Sequence, residues 1–336
     1  MTVSAVVPAR DAAPTLPSCL AALRRAGGMS LEILVVNDGS CDATASLAER
    51  DATRVITLPR SVGASRARNL GAREAGGEIV VFVDADVMVP PDAFTLLLHH
   101  FQAPDCPDAV QGIYAAECPH PNASSQYKNL YYHYSWTRRI KNPWLVSAAS
   151  FFFAIRASLF RELGGFDERI TVPTVEDADL GHRVVRRGGR ILLDSRLRVI
   201  HDRHYGAGEL LRYDFRLAAA KTRFMLRRAL ARDVAVLHPG GGWAVSTARA
   251  GEMRAWLGSL ACLPLGIAAA WAGAVPLAVA LGACVILFQL PFLFFISRRR
   301  GALQAGAIAA LLVADVAAID AGIVSGAVSF LFGKRY

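Results

Sequence analysis

A chain of 336 residues, 53% of them hydrophobic and carrying a formal net charge of +9, has room for two domains or for one domain with an appendage. The basic excess has no nucleic-acid recognition motif beside it and an apolar tail after it, which points to anionic lipid headgroups and away from nucleic acid. Cys19, Cys41, Cys106, Cys118, Cys262 and Cys284 form neither a CxxC pair nor a zinc spacing, so reduced thiols are expected and a disulfide scaffold is excluded.

The first element is a strand, "TVSAVVPAR", ending at Pro8. A helix over "APTLPSCLAALRRAGG" follows, closed by Gly27 and Gly28 in the C-cap position. "EILVVNDGS" is a second strand running into Asp38, Gly39 and Ser40, and "CDATASLAER" is the next helix. After a strand around "RVITLP" come the helix "GASRARNLGAREAGG" and the strand "EIVVFVDADV". Alternating strands and helices predict an α/β fold with a mostly parallel sheet flanked by helices. Ligands in such sheets collect at the carboxyl ends of the strands. Three strands end in polar signatures there: Pro8-Ala9-Arg10, Asp38-Gly39-Ser40 and Asp84-Ala85-Asp86. Each alone is as consistent with a plain turn as with a site; three at one sheet edge make a site. Farther on, a Glu176-Asp177 pair opens a helix, where the helix dipole also favours acids. "RVIHDRHY" ends an apolar strand on His201, with His204 close behind. From Glu209, "ELLRYDFRLAAAKTRFMLRRAL" reads as a basic amphipathic helix with Arg212, Arg216, Arg223 and Arg227 in one stripe, suited to lipid phosphates.

The texture then changes. Residues 255–296 contain no charge over 42 positions, long enough for two membrane helices of about 20 residues each, with a turn at 273–276. Residues 302–332 form a third apolar run interrupted by Asp315 and Asp320, expected as a third span or a re-entrant segment, because carboxylates in lipid face protein or water. Residues 1–9 lack the basic start and apolar stretch of a signal peptide, so the bulk of the chain is expected to stay cytoplasmic. Arg249, Arg254, Arg298, Arg299 and Arg300 flank the apolar hairpin on that same side; Lys334 and Arg335 fit less well if the third segment crosses. The expected organisation is an α/β domain over 1–230, an interfacial linker over 231–254 containing "HPGGGW", and a membrane domain over 255–336 with helices at about 255–273, 275–296 and 303–332.

The set "VVPARDAAPTL", "ILVVNDGSCDAT", "GASRARNLGAREAGGEIVVFVDADV", "FRELGGFDERITVPTVEDADLGHRVVRRGGR" and "LRVIHDRHY", in this order, resembles the inverting glycosyltransferases of family 2, which have the GT-A fold. The resemblance implies a nucleotide-sugar donor, with UDP the expected nucleotide, and Mg2+ or Mn2+ bound at Asp84-Ala85-Asp86, the DxD element. Asp86 would be the metal ligand and Asp84 would face the ribose or metal-bound water; a divalent cation also relieves the repulsion between neighbouring acids. By the same resemblance Asp38 would bind the base, Pro8, Ala9, Arg10 and Ala85 would line the nucleotide slot, and Arg66, with Arg68 as rival, would reach the base or phosphates. Asp177 would be the general base on an acceptor hydroxyl, with Glu176 as fallback. His201, or His204 in its place, would sit near the metal. The acceptor implied is a lipid or lipid-linked glycan at the inner membrane, with a polyprenyl-phosphate sugar synthase as the alternative. "KTRF" is a poor echo of the motif of polysaccharide polymerases. Two other classes stay open: a non-catalytic nucleotide-sugar-binding membrane scaffold, and a transporter using Asp315 and Asp320. The Ala- and Arg-rich composition suggests a bacterium.

Overall fold

Burial on both faces requires a strand that is apolar at nearly every position, and β1 (Val3–Ala9) and β4 (Ile79–Val83) meet that requirement, with one half-buried residue between them. The computed structural model describes residues 1–137, 143–170, 174–230, 262, 265 and 269–334. In chain order the elements are β1, α1 (Leu16–Gly27), β2 (Glu32–Asn37), α2 (Thr44–Asp51), β3 (Arg54–Thr57), α3 (Ala64–Glu74), β4, β5 (Val87–Met88), α4 (Ala93–Gln102), β6 (Ala109–Tyr114) and α5 (Ala123–Thr137). They continue as β7 (Trp144–Leu145), β8 (Phe152–Arg156), α6 (Ala157–Glu162), α7 (Glu176–Arg186), β9 (Ile191–His201), α8 (Ala207–Leu230), α9 (Val275–Arg300) and α10 (Ala302–Leu331).

The strands join in the order β3-β2-β1-β4-β8-β6-β9-β5, with β7 beside β9. The quartet β3, β2, β1 and β4 is parallel throughout, so its polar carboxyl ends do share one edge. Beyond β4 the sheet is mixed: β8 runs antiparallel to β4 and β6, while β6 and β9 are parallel. The core under this sheet gathers Val6, Phe82, Phe153, Phe160, Phe166 and Leu180. Phe82 meets Phe160 and Phe166 at centroid distances of 5.1 and 5.0 Å, the tilted and edge-on geometries aromatic rings prefer.

The chain divides into two compact units. One holds Met1–Pro119 and Trp136–Arg203, which include the whole sheet. The other holds His120–Ser135, hence most of α5, together with the described residues from His204 onward. In this second unit α8 and α10 pack closely because Gly322 and Gly326 present no side chain: a Cβ on either would lie 2.4 Å from the Phe215 carbonyl oxygen or 2.5 Å from that of Ala219. Tyr127 of α5 donates a 2.6 Å hydrogen bond to Asp315 of α10, and Lys128 of α5 pairs with Asp214 of α8. Phe292 of α9 lies among Tyr127, Tyr131 and Tyr134, at 5.2–6.0 Å between centroids. The third apolar run is one continuous helix of 30 residues, and α9 and α10 are both long and apolar enough to cross a membrane. The linker at 231–254 and most of the first expected span lie outside the described residues.

The helix α7 approaches the backbone of residues 147–148 only because position 181 is glycine. A Cβ there would stand 2.1 Å from the Ala148 nitrogen and 2.6 Å from the Ser147 carbonyl carbon, both fixed backbone atoms. Gly181→Ala is expected to destabilise the unit that holds the sheet by about 1–3 kcal/mol, the usual penalty of overpacking. Urea denaturation checks this: the midpoint should fall while the slope stays constant.

Candidate active site

The triplet Asp84-Ala85-Asp86 is a turn. The Val87 amide donates to the Asp84 carbonyl at 3.0 Å, and the chain then starts β5. β5 pairs antiparallel with β9 in a register that sets Val87 against His201, and the Asp202 amide extends the ladder by donating to the Asp86 carbonyl at 2.7 Å. Register therefore brings the last residue of β9 to the triplet: His201 Nε2 lies 3.5 Å from Asp86 Oδ2. Although burial alone would push the Asp86 carboxyl up, the His201 imidazole beside it, helped by Arg203, holds it below the usual carboxylate range. His204, by contrast, belongs to the second unit, where its ring meets His120 at 5.5 Å.

Asp84 faces the other way. Its Oδ1 accepts a 2.8 Å bond from Arg68, whose other terminal nitrogen donates at 3.0 Å to Glu176. The Arg68 side chain is only 5% exposed. It lies on the inner face of α3 with the buried residues Ser65, Asn69 and Ala72, whereas Arg66 is 60% exposed and sits 3.4 Å from Glu168. Thus the structure gathers Arg68, Asp84, Glu176 and Asp177, and leaves Arg66 on the outer face of α3. The spacing of small and apolar residues on α3 carried this signal, since position 68 shares a face with 65 and 72.

Glu176 is buried, and both its oxygens are engaged: one with Arg68, the other with the Thr174 amide at 2.7 Å. Asp177, half-buried at the start of α7, accepts bonds from the amides of Ser150 at 3.2 Å and Ala178 at 2.7 Å. Desolvation and then the neighbouring Glu176 charge push its carboxyl up to about 7, with Arg68 and the two amides pulling the other way. A carboxylate in that range can exchange a proton near neutral pH.

Asp38 is committed to a loop. Its carboxylate accepts from Val62 N (2.6 Å), Gly63 N (3.1 Å) and Ser61 Oγ (2.8 Å), which holds the entry to α3. Arg10 reaches the same loop through a 2.9 Å bond to Ser61. Pro8 and Ala9 end β1 against Val36 and Asn37, and Ala85 is buried in the turn. Among the described residues, no three His, Cys, Asp or Glu side chains converge as a metal cluster.

Residues 4–164 match the family model described as glycosyl transferase family 2. The chain carries a family 2 glycosyltransferase domain. A pre-mycofactocin glycosyltransferase of Mycobacterium tuberculosis is 28% identical over 214 residues, which are 60% of this chain and 42% of that protein. An undecaprenyl-phosphate 4-deoxy-4-formamido-L-arabinose transferase of Pseudomonas paraeruginosa is 35% identical over 105 residues, 29% of this chain and 31% of its own length. The chain therefore spans less than half the length of these relatives. A mannosyltransferase of Pyrobaculum calidifontis, solved with GDP-Man and Mn2+, superposes with a TM-score of 0.58 at 21% identity, covering 94% of this chain and 86% of that one. At that identity the likeness is one of fold, and the fold is GT-A.

Arg68 is the only partner described for the buried Glu176 Oε1. Arg68→Gln removes the counter-charge from a carboxylate that cannot reach water, and is expected to cost roughly 3–5 kcal/mol of stability. Thermal melting of the purified protein in detergent, compared with Arg66→Gln, checks it; the exposed Arg66 pair should be worth no more than about 1 kcal/mol.

Proposed function

We propose that this chain transfers a sugar from a nucleoside-diphosphate donor to a hydroxyl of a lipid or lipid-linked acceptor, with inversion at the anomeric carbon. The observation that carries the proposal is Asp177, a carboxyl pushed up to about 7, beside the ion pair that ties Glu176 through Arg68 to Asp84 of the DxD turn. Asp177 takes the proton of the acceptor hydroxyl, whose oxygen forms the new bond to the anomeric carbon. The bond from that carbon to the diphosphate breaks on the opposite side, and its electron pair leaves with the diphosphate. Glu176, with both oxygens engaged, positions Arg68 and raises Asp177 rather than serving as the base itself.

The donor set fits a hard divalent cation. A 23%-exposed Asp86 carboxylate and the His201 imidazole 3.5 Å away supply two protein donors, and Mg2+ is commonly held by one or two protein groups with the remaining positions left to water and substrate phosphate. Asp86 and His201 would hold Mg2+ or Mn2+, which when bound neutralises charge on the leaving diphosphate. Asp38 shapes the nucleotide slot by fixing residues 61–63, with Arg10, Pro8, Ala9 and Ala85 around it. The mannosyltransferase solved with GDP-Man and Mn2+ supports this donor class, and the relative named for undecaprenyl phosphate supports a lipid-linked acceptor at a membrane. The same relative favours a second reading, in which polyprenyl phosphate is itself the acceptor. A phosphate oxygen is already ionised and needs no base, so Asp177 separates the two readings.

The test is release of nucleoside diphosphate from a panel of nucleotide-sugars by protein purified in detergent, with Mn2+ or Mg2+ and then with chelator. Asp86→Asn and chelation should each abolish turnover; turnover that survives both would overturn the metal assignment. For a hydroxyl acceptor, kcat/KM should rise with pH up to about 7, as Asp177 loses its proton, and level off above. Asp177→Asn should erase that limb and lower the rate about 10²–10⁴-fold. Full activity of Asp177→Asn on polyprenyl phosphate would establish the second reading instead.

A further inference from the structure

Length and composition make α10 a candidate span, but its neighbours in the second unit are not those of a lipid-embedded helix. Along its C-terminal half, Gly322 faces Phe215 and Ala218, Gly326 faces Ala219 and Thr222, and Ser329 accepts a 3.3 Å bond from Arg223. The pairs advance together, so residues 322–329 of α10 run alongside residues 215–223 of α8, in the same direction and at the same depth. α8 turns Glu209, Arg212, Arg216 and Lys221 outward as exposed residues. A helix with four exposed charges within thirteen residues does not sit in hydrocarbon, and a helix packed in register with it cannot be at the bilayer centre either.

The other face of α10 is different. Val324, Val328 and Leu331 are exposed and lie on one stripe, since offsets of 4 and 7 residues are close to whole turns. The opposite stripe, with Ile319, Gly322 and Gly326, is buried. An apolar stripe beside a row of arginines is the composition of a helix lying in the headgroup layer, with phosphates against the arginines and acyl chains against the valines. Asp315 and Asp320 are themselves buried. Asp315 is bonded by Tyr127 of α5, and Asp320 lines a small cleft with Tyr131 and Gln289.

We propose that α10 does not cross the bilayer: it lies in the interfacial layer on the α8 side, with the Val324–Val328–Leu331 stripe against lipid. α10 then adds no crossing after Gly301. Arg298, Arg299 and Arg300 before α10 and Lys334 after it then lie on one side of the membrane, which removes the charge conflict a third crossing would create.

The experiment places one protease-sensitive epitope tag at a time before Met1, after Gly301 or after Tyr336 of the full chain, in sealed vesicles of one orientation. The tags at 301 and 336 should behave alike, cleaved together or protected together, and all three should be cleaved once detergent opens the vesicles. Opposite behaviour of the tags at 301 and 336 would overturn the proposal. A photo-crosslinking amino acid at position 324, in vesicles of anionic phospholipid, should yield a phospholipid adduct; an adduct to a second copy of the chain, or none, would overturn the lipid contact. Neither readout depends on sugar transfer, so both stand apart from the proposed activity.

Discussion

The catalytic unit is organised around one buried guanidinium. Burying a cation is unfavourable unless its charge is met by well-placed acceptors, and Arg68 meets two carboxylates on separate parts of the chain. One, Asp84, sits at the end of a parallel strand; the other, Glu176, begins a helix 92 residues later, 176 minus 84. Holding both fixes the Asp84-Ala85-Asp86 turn relative to the start of α7, and with it the position of Asp177. The same charge limits how far desolvation can raise Asp177. A single side chain thereby sets both distance and proton affinity.

The second unit solves a related problem differently. Lys128 is buried, paired with Asp214 and surrounded by the rings of Tyr131, Tyr132 and Tyr213 at 4.8–5.8 Å. Tyrosine rings supply a polarizable, partly negative surface that a cation can share without water. Tyr127 supplies a proton to Asp315, so that carboxylate too has a protein partner within an otherwise apolar helix. Polar groups here join helices whose remaining surfaces are apolar.

Much of this was legible in the residues alone. The alternation of apolar runs and amphipathic stretches predicts β1 through β4, and parallel register then forces their polar ends to one edge. The Glu176-Asp177 pair does begin a helix, and the apolar tail does contain helices of membrane length. Two features were hidden for physical reasons. β5 has only two residues, too few for any period, yet its register determines that His201 reaches Asp86. Helix α5 reads as a polar surface segment, "ASSQYKNLYYHYSWT", although Ser124 through Leu130 are buried at every position. Its side chains are satisfied from far away: the Ser125 hydroxyl accepts from the Tyr205 amide at 2.8 Å, and Lys128 and Tyr127 bond to residues of α8 and α10. Local pattern cannot report partners that distant.

That placement of α5 has a consequence for biosynthesis. The described strands and helices of the unit that holds the sheet are all made once the chain has reached residue 203, and a chain made from its N-terminus can assemble them at that point. α5 is inserted within that stretch, yet its partners Asp214 and Asp315 follow it by 86 and 188 residues. A nascent chain must therefore carry a helix rich in tyrosine and buried polar groups, unmatched, until the last helix is made. No single cut in the chain can separate the two units.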